Sequence, residues 1–136
     1  MTDPRRRPTD SELAILRVLW SRGPSTVREV QENLDGAGYT TALKLLQIMQ
    51  EKGLVTRDES QRAHRYSAAV SEDQTQRRLL GDLVDKAFGG SPAKLVQKAL
   101  SSERASQEEI DEIRRLIADW QDGPGSPAGE NPEERT

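Results

Sequence analysis

The chain has 136 residues, of which 33% are apolar and 32% charged, so it suits one small domain with an appendage and cannot supply one large core. The absence of cysteine excludes disulfides, thiolate metal sites and a thiol nucleophile, and with one histidine neither a metal nor another cofactor is expected. The net charge of −3 is uneven, since residues 1–66 hold 11 Lys/Arg and 9 Asp/Glu whereas residues 67–136 hold 9 and 14, which indicates a basic and an acidic half with separate tasks.

The first eight residues form a basic stretch with two prolines and three adjacent arginines, Arg5, Arg6 and Arg7. We interpret residues 1–8 as a flexible basic arm that follows the backbone or a groove of nucleic acid, with a solvated tail as the alternative. No apolar segment follows the arginines as it would in a secretory signal, and no apolar run approaches the roughly 20 residues that span a bilayer. A cytoplasmic protein is therefore expected.

The chain after this arm predicts two helices. The stretch "TDSELAILRVLWSRG" begins with Thr9 and Glu12 at the spacing of a capping box, and its apolar residues recur at helical intervals up to a Gly-Pro pair. The stretch "STVREVQENLDGAG" has Ser25 or Thr26 as its N-cap. We expect this second helix to end at the glycines that begin with Gly36.

A third helix and a hairpin complete this part of the chain. The stretch "YTTALKLLQIMQEK" predicts a helix closed by Gly53. In "LVTRDESQRAHRYSA", alternating residues flank a polar tip at residues 58–61, which predicts two short strands. Three helices followed by a β-hairpin are the winged helix-turn-helix arrangement, assigned to residues 9–70. The predicted fold class is therefore mainly α with a small β-hairpin.

The third helix is unusually apolar for so polar a chain. At 100° per residue, Thr40, Lys44, Gln47 and Glu51 form one narrow stripe, and we expect most of the remaining circumference to be buried. The residues expected to be buried are Ala42, Leu45, Leu46 and Met49, flanked by Leu43 and Ile48. The polar stripe fits either a solvated surface, which every surface helix has, or a surface that enters a DNA groove.

The position of this helix in the motif favours the DNA groove. In helix-turn-helix proteins, the N-terminal part of the second helix of the motif enters the major groove. There Lys44 can donate to guanine and Gln47 can pair with adenine, while threonine can hydrogen-bond or contact the thymine methyl group. Thr40 and Thr41 supply threonine at that end of the helix.

The hairpin carries cations that suit contacts with phosphate. Arg57, Arg62 and Arg65 lie within nine residues of one another on the predicted wing, where arginines can bind the DNA backbone. His64 lies beside Arg65 and is interpreted as a phosphate contact, with an ordinary exposed strand residue as the alternative.

Beyond the hairpin, the pattern predicts three amphipathic helices with serine N-caps at Ser71, Ser91 and Ser106. Their apolar stripes are covered either by docking onto the domain of residues 9–70 or by pairing with a second copy of the chain. Pairing is favoured, because the stripes of an isolated set of such helices would be exposed to solvent. We assign residues 71–120 to a helical dimerisation domain. Its expected interface residues are Leu79, Leu83, Phe88, Leu95, Ile110, Ile113, Ile117 and Trp120. Residues 121–136, rich in Gly, Pro and charge, are expected to form a disordered tail.

The sequence resembles the BlaI/MecI/CopY family of winged-helix repressors. The resemblance rests on "PTDSELAILRVLW", "STVREV", "YTTALKLLQIMQEKGLVTR" and "RAHRYSAAVS", and extends less specifically to Trp120. It implies a homodimer that binds a palindromic operator in double-stranded DNA and blocks transcription. The positions that match the family's DNA-reading helix are Thr40, Thr41, Leu43, Lys44 and Gln47, and those that match its wing are Arg62, His64 and Arg65.

Two departures from the family pattern narrow the implied regulation. The CopY branch ends in a cysteine metal-sensing motif, which a chain without cysteine cannot form. The β-lactam branch is inactivated by a proteolytic cut in the dimerisation domain, at an Asn-Phe bond in its best-known members, which suggests a membrane sensor peptidase as a further partner. The corresponding stretch here, "LVQKALSS", lacks Asn-Phe and gives Lys98 and Ala99 as the candidate cleavage region.

Three hypotheses about function follow from these patterns. A dimeric repressor, relieved in response to a cell-wall or antibiotic signal, accounts for the third helix, the wing and the back half together. A winged-helix module for protein contact accounts for the fold and the acidic half, but not for the clustered wing arginines. An enzyme is the least supported, because the single histidine has no evident acid or base partner and no glycine-rich phosphate loop is present.

Overall fold

The computed structural model describes residues 7–122 and confirms a mainly helical chain with a small β-hairpin. The elements are α1 (Asp10–Arg22), α2 (Val27–Glu32), α3 (Tyr39–Lys52), β1 (Val55–Asp58), β2 (Arg65–Ala68), α4 (Glu72–Ala87), α5 (Pro92–Ser101) and α6 (Gln107–Asp122). The chain divides into two compact units, one that ends at Leu80 and one that begins at Gly81. The first unit therefore contains the three helices and the hairpin, together with the start of α4.

Both of the first two helices begin with complete capping boxes. In α1 the Glu12 N–H donates to Thr9 Oγ1 (3.2 Å) and the Thr9 N–H donates to Glu12 Oε1 (3.0 Å), as the sequence predicted. In α2 the same exchange joins Thr26 and Glu29, so Thr26 rather than Ser25 is the N-cap. Each box satisfies two backbone donors that would otherwise lack partners.

The second helix is shorter than the sequence suggested, since α2 ends at Glu32 and not at the glycines that begin with Gly36. The Asn33 side chain donates to the Glu29 carbonyl oxygen (2.8 Å), and the Asn33 N–H donates to the Val30 carbonyl oxygen (3.0 Å) in a tighter turn. Asparagine side chains compete for backbone groups in this way and so favour the ends of helices. Gly36 instead lies in the following turn, at φ +73°.

The third helix ends where expected but is less buried than expected. Gly53 closes α3 in the left-handed conformation, at φ 81°, which glycine adopts without strain. The predicted polar stripe is exposed. The expectation that most of the circumference is buried is wrong, because Ile48 is 37% exposed and Leu43 and Leu45 are only half-buried. The fully covered residues are Ala42, Leu46 and Met49. Helical periodicity predicts which way the apolar face points, whereas the packing of neighbouring elements determines how much of the helix circumference is buried.

The core of the first unit lies where α1, α2, α3 and the hairpin meet. Its buried side chains are Ile15, Leu16, Leu19, Val27, Val30, Ala42, Leu46, Met49, Leu54, Val55 and Tyr66. Trp20 packs against this cluster and donates its indole N–H to the Val70 carbonyl oxygen (3.0 Å), which fastens the chain after β2 onto α1. Burial of each large apolar side chain contributes about 1.5–3 kcal/mol, so the cluster is the main source of stability in this unit.

The hairpin has a third, strand-like neighbour that the sequence pattern did not reveal. β1 and β2 are antiparallel, with Arg57 opposite Tyr66. On the other side of β2, Ser25 and Tyr66 exchange two backbone hydrogen bonds, with the Ser25 N–H donating at 3.0 Å and the Tyr66 N–H donating at 2.7 Å. Ser25 is fully buried and its hydroxyl donates to the Gly23 carbonyl oxygen (2.9 Å). The wing is thereby attached to the segment that leads directly into α2.

A buried carboxylate joins the start of α1 to the end of α3. Glu12 is 3% exposed, and its Oε1 accepts a hydrogen bond from Lys52 Nζ (2.6 Å) in addition to the capping-box bond. Lys52 also donates to the Arg7 carbonyl oxygen (3.3 Å). Burial of a charged group is costly unless the group is paired and hydrogen-bonded, and both conditions hold for Glu12.

Serine caps begin the three later helices, as the sequence predicted. The hydroxyls of Ser71, Ser91 and Ser106 accept from the backbone N–H three residues later, at 3.0–3.2 Å. α6 continues through Asp122, the last described residue. The helix thus extends two residues into the range predicted as a tail, and the rest of that range lies outside the described residues.

The second unit buries little apolar surface within the described residues. From position 81 to position 121, Val84 is the one buried side chain. Large apolar side chains of α4, α5 and α6 are instead exposed to solvent, and these helices make few contacts with one another. Across residues 7–122, no helix has both the length and the apolarity of a membrane span.

We expect Glu12→Ala to lower the free energy of unfolding by about 3 kcal/mol, because it removes one partner of a buried ion pair and half of a capping box. Urea denaturation followed by circular dichroism measures this loss. Asp73→Ala is the matched control, since it breaks an exposed ion pair with Arg77 (2.7 Å) and should cost less than about 1 kcal/mol. Equal losses in the two variants would contradict a structural role for Glu12.

Candidate nucleic-acid interface

The exposed stripe of α3 begins at the N-terminus of that helix. Gly38 is the N-cap, and among the described residues no side chain caps this end of the helix. Free N–H groups at a helix N-terminus attract phosphate. The exposed polar residues that follow are Thr40, Thr41, Lys44 and Gln47. Leu43 is different, because it is half-buried and packs against the core.

The four predicted wing cations differ in their exposure. Arg62 and His64 lie in the exposed connection between β1 and β2. The side chains of Arg57 and Arg65 lie on the strands and are only 29% and 39% exposed. The two connection residues are therefore freely presented to solvent, whereas the two strand residues are partly engaged within the protein.

Arg65 is held by α2. Its Nη1 lies 3.5 Å from Glu29 Oε1, the same oxygen that accepts the Thr26 N–H in the capping box. The hydrogen bond from the Thr26 backbone, followed by the charges of Arg65 and Arg22, keeps the pKa of Glu29 below its ordinary value. The ionised carboxylate thus connects the start of α2 to β2.

Arg57 is held within the wing itself. It lies opposite the buried Tyr66 in the hairpin register, and its Nη2 contacts Glu59 Oε2. Hydrogen bonding to the phenol oxygen of Tyr66, and then to Glu59, raises the pKa of the Arg57 guanidinium above its ordinary value. Arg57 therefore stays positively charged at neutral pH.

The tip of the wing is fixed by a local turn. Asp58 Oδ1 accepts the Ser60 N–H at 2.9 Å. This bond, together with the charges of Arg65 and His64, lowers the pKa of the Asp58 carboxyl below its ordinary value. A side chain that bonds to the backbone two residues later imitates a turn, so the stretch that leads to Arg62 has a defined start.

α2, α3 and the wing surround one concave surface. It is lined by Thr26, Val27, Arg28, Tyr39, Leu43, Arg57, Arg62, Ala63, His64 and Tyr66. The structure thus brings four of the predicted residues together, namely Leu43, Arg57, Arg62 and His64. The other predicted residues of the helix and wing, Thr40, Thr41, Lys44, Gln47 and Arg65, lie outside this lining.

Sequence reasoning missed two exposed residues on this surface, Arg28 near the start of α2 and Tyr39 at the start of α3. The available signal was positional, since the first helix of a helix-turn-helix motif crosses the DNA backbone. A basic residue near its N-terminus therefore belongs with the wing cations. Arg28 adds a positive charge to the lining of this concave surface.

The basic arm is only partly described. Arg5 and Arg6 lie outside the described residues. Arg7 is half-buried, and its carbonyl oxygen accepts the hydrogen bond from Lys52. The last arginine of the predicted arm is therefore in contact with the end of α3.

Apolar side chains of α4, α5 and α6 that were predicted to lie at an interface are exposed to different degrees. Leu83, Ile117 and Trp120 are about half exposed. The half-buried members of the predicted set are Leu79, Phe88, Leu95, Ile110 and Ile113. Three further exposed residues were not predicted, namely Leu80, Val96 and Leu116.

The candidate cleavage residues Lys98 and Ala99 are both exposed and lie inside α5, which runs from Pro92 to Ser101. Lys98 also lines a shallow groove beside Phe88 at the end of α4. A protease needs an extended backbone, so a cut at this place requires local opening of α5.

Comparison with known proteins covers nearly the whole chain. A family model described as the penicillinase repressor matches residues 8–119. The chain is 37% identical to the Transcriptional regulator BlaI of Mycobacterium tuberculosis (strain H37Rv) over 128 residues, which cover 88% of this chain and 91% of that protein. It is 21% identical to the Methicillin resistance regulatory protein MecI of Staphylococcus aureus (strain N315) over 113 residues, which cover 80% of this chain and 91% of that protein. The chain therefore belongs to the penicillinase repressor family, that of BlaI and MecI, whose members are transcriptional regulators and not enzymes.

Proposed function

We propose that this protein is a homodimeric repressor that binds a palindromic operator and blocks transcription. The single observation that carries the proposal is that one small unit combines an exposed polar stripe on α3 with exposed cations on the wing. The family relationship supports the regulatory role. The protein acts by occupying the operator.

In this proposal α3 reads the base sequence. Lys44 donates to guanine acceptors, Gln47 forms paired hydrogen bonds with adenine, and the threonines contact base edges or the thymine methyl group. Thr40 and Thr41 lie in the first turn of α3, the end that enters the major groove. Leu43 is half-buried and packs against the core, and so fixes the position of α3.

The wing and the start of α2 contact phosphates on the two sides of α3. Arg62 and His64 are exposed on the connection between the strands, and Arg28 is exposed on α2. Arg57 and Arg65 reach the backbone from the strands. Such contacts set the register of α3 on the duplex without carrying sequence information. The arginines of the N-terminal arm, Arg5, Arg6 and Arg7, add contacts along the backbone or in a groove.

Dimerisation through residues 71–120 places two copies of α3 about one helical turn of DNA apart, or roughly 34 Å. The exposed apolar side chains of α4, α5 and α6 support this proposal, because a monomer would leave them in water. Linking two reading modules raises the effective concentration of the second once the first is bound. A separated monomer would therefore bind the operator much more weakly.

Relief of repression follows from damage to the dimer rather than to α3. A cut in α5, around Lys98 and Ala99, would separate α6 from the rest of the chain and so remove part of the dimer interface. A membrane sensor peptidase that responds to a cell-wall or antibiotic signal is the proposed source of the cut. The name of the relative MecI, a methicillin resistance regulatory protein, supports a signal of this kind.

A winged-helix module for protein contact is the alternative function. It accounts for the fold and for the acidic back half equally well. It gives no role to the exposed cations on the wing and on α2, which surround a single concave surface. Salt dependence of DNA binding distinguishes the two functions, because each phosphate contact releases counterions.

We expect Lys44→Ala to weaken operator binding by about 10- to 100-fold, because it removes one good base contact. We expect Arg62→Ala to reduce the slope of log affinity against log salt concentration by about 1, because it removes one phosphate contact. Fluorescence anisotropy with promoter DNA from the protein's own locus, at several salt concentrations, measures both. Lys94→Ala is the matched control, since it removes an exposed charge on α5. The repressor function would be refuted if the affinity of the wild-type protein for DNA depended neither on the salt concentration nor on the base sequence.

We expect Ile117→Asp to convert the dimer into a monomer, because it places a charge in the apolar stripe of α6. Sedimentation equilibrium measures the molecular mass directly. The matched control is Ala118→Asp, which places the same charge at an exposed neighbouring position off the predicted stripe. The proposed interface is wrong if Ile117→Asp remains dimeric, or if both variants dissociate alike.

Incubation with membranes from cells exposed to the inducing antibiotic should yield a stable fragment that ends near residue 98, because the cut lies within α5. Intact-mass spectrometry identifies its terminus, and membranes from unexposed cells are the control. Derepression without any fragment would rule out the proteolytic route.

A further inference from the structure

Arg57 differs from the other wing cations in the way its charge is buried. Its side chain lies beside Tyr66, on the side of the hairpin that faces the core, and is 29% exposed. Its Nε is buried without a hydrogen-bond acceptor among the described residues. Its Nη2 is paired with the Glu59 carboxylate. The Arg57 side chain thus lies beside a buried tyrosine, and its guanidinium has a carboxylate partner in Glu59.

Glu59 is free to leave this position. It lies in the connection between the strands, two residues after Arg57, and its side chain is 54% exposed. Exposed ion pairs contribute little to stability, since water replaces each partner at small cost. Release of Glu59 therefore requires no change in the core or in the hairpin register.

The carboxylate beside Arg65 is bound differently. Glu29 accepts the Thr26 N–H in the capping box of α2 as well as facing Arg65. If Glu29 moved away, the start of α2 would lose one of its caps. Arg62 and His64 make no ion pair with any carboxylate among residues 7–122. Of the two paired wing arginines, Arg57 therefore has the carboxylate partner that is easier to displace.

We propose that Glu59 competes with a DNA phosphate for Arg57, and so lowers the affinity of the wing for DNA. This inference rests on the proposed function, since it assumes that the concave surface lined by Arg57 faces the DNA backbone. In the free protein the carboxylate occupies Nη2, and in the complex a phosphate oxygen replaces it. Arginine suits this exchange because its planar donors fit carboxylate and phosphate equally.

The exchange of Glu59 for a phosphate at Arg57 changes the affinity for the operator at a position that contacts no base. A phosphate contact contributes equally on every sequence, so competition at Arg57 weakens operator and non-operator binding together. Glu59 therefore limits total affinity and leaves sequence preference unchanged. A repressor that must leave its operator after the loss of its dimer partner benefits from such a limit.

A double-mutant cycle tests the proposal with Glu59→Gln, Arg57→Gln and the double variant, all in the full chain. Affinity for promoter DNA from the protein's own locus is measured, as is the salt concentration that elutes each protein from immobilised heparin, a polyanion without base sequence. We expect Glu59→Gln to tighten binding by roughly two- to fivefold, the factor that corresponds to an exposed ion pair. In the Arg57→Gln background the same change should have almost no effect.

Glu51→Gln is the matched control, since it removes an exposed carboxylate from α3 and should act equally with or without Arg57. The proposal is overturned if Glu59→Gln tightens binding equally in both backgrounds, which indicates general charge repulsion. It is also overturned if Glu59→Gln weakens binding, which indicates that Glu59 only positions Arg57. Absence of operator preference in the wild-type protein, with the heparin difference intact, would instead refute the proposed function.

Discussion

The pair of backbone hydrogen bonds between Ser25 and Tyr66 is the constraint on which the first unit depends. It makes the segment before α2 a third partner of the hairpin, so the wing and the helix-turn-helix cannot move independently. Thr26, the next residue, caps α2, and Glu29 of the same cap holds Arg65 of β2. The buried Tyr66 ring in turn lies opposite Arg57. The positions of Arg57 and Arg65 on the wing are therefore linked to this one backbone pairing.

Charged groups in this protein have two different roles, and the buried groups differ in role from the exposed ones. Glu12 and Lys52 lie at the junction of α1 and α3, where pairing of a nearly inaccessible carboxylate fixes the two helices. The cations around the concave surface are instead kept near water, and the carboxylates beside them satisfy only part of their donors. Groups of the first kind set the structure, and groups of the second kind remain available to phosphate.

The two units also handle apolar surface in opposite ways. The first unit buries its large side chains around Leu46 and Tyr66, and is complete as a core. The second unit keeps Leu83, Leu116 and Trp120 about half exposed. A closed core in the first unit and an open helical segment in the second fit the proposed function, in which the first unit reads DNA and the second pairs with another chain.

Local signals in the sequence determined the helices, their caps and the hairpin, because Thr9, Ser91 and Gly53 act on the few residues beside them. They also determined which polar residues of α3 form its exposed stripe, since helical periodicity fixes the direction of Lys44 and Gln47. Only the tertiary structure decided how much of α3 is covered and that Ser25 pairs with Tyr66. It also decided that Arg28 joins the wing cations and that Glu29 holds Arg65. These features depend on contacts between segments far apart in the chain, and no spacing within a single segment encodes them.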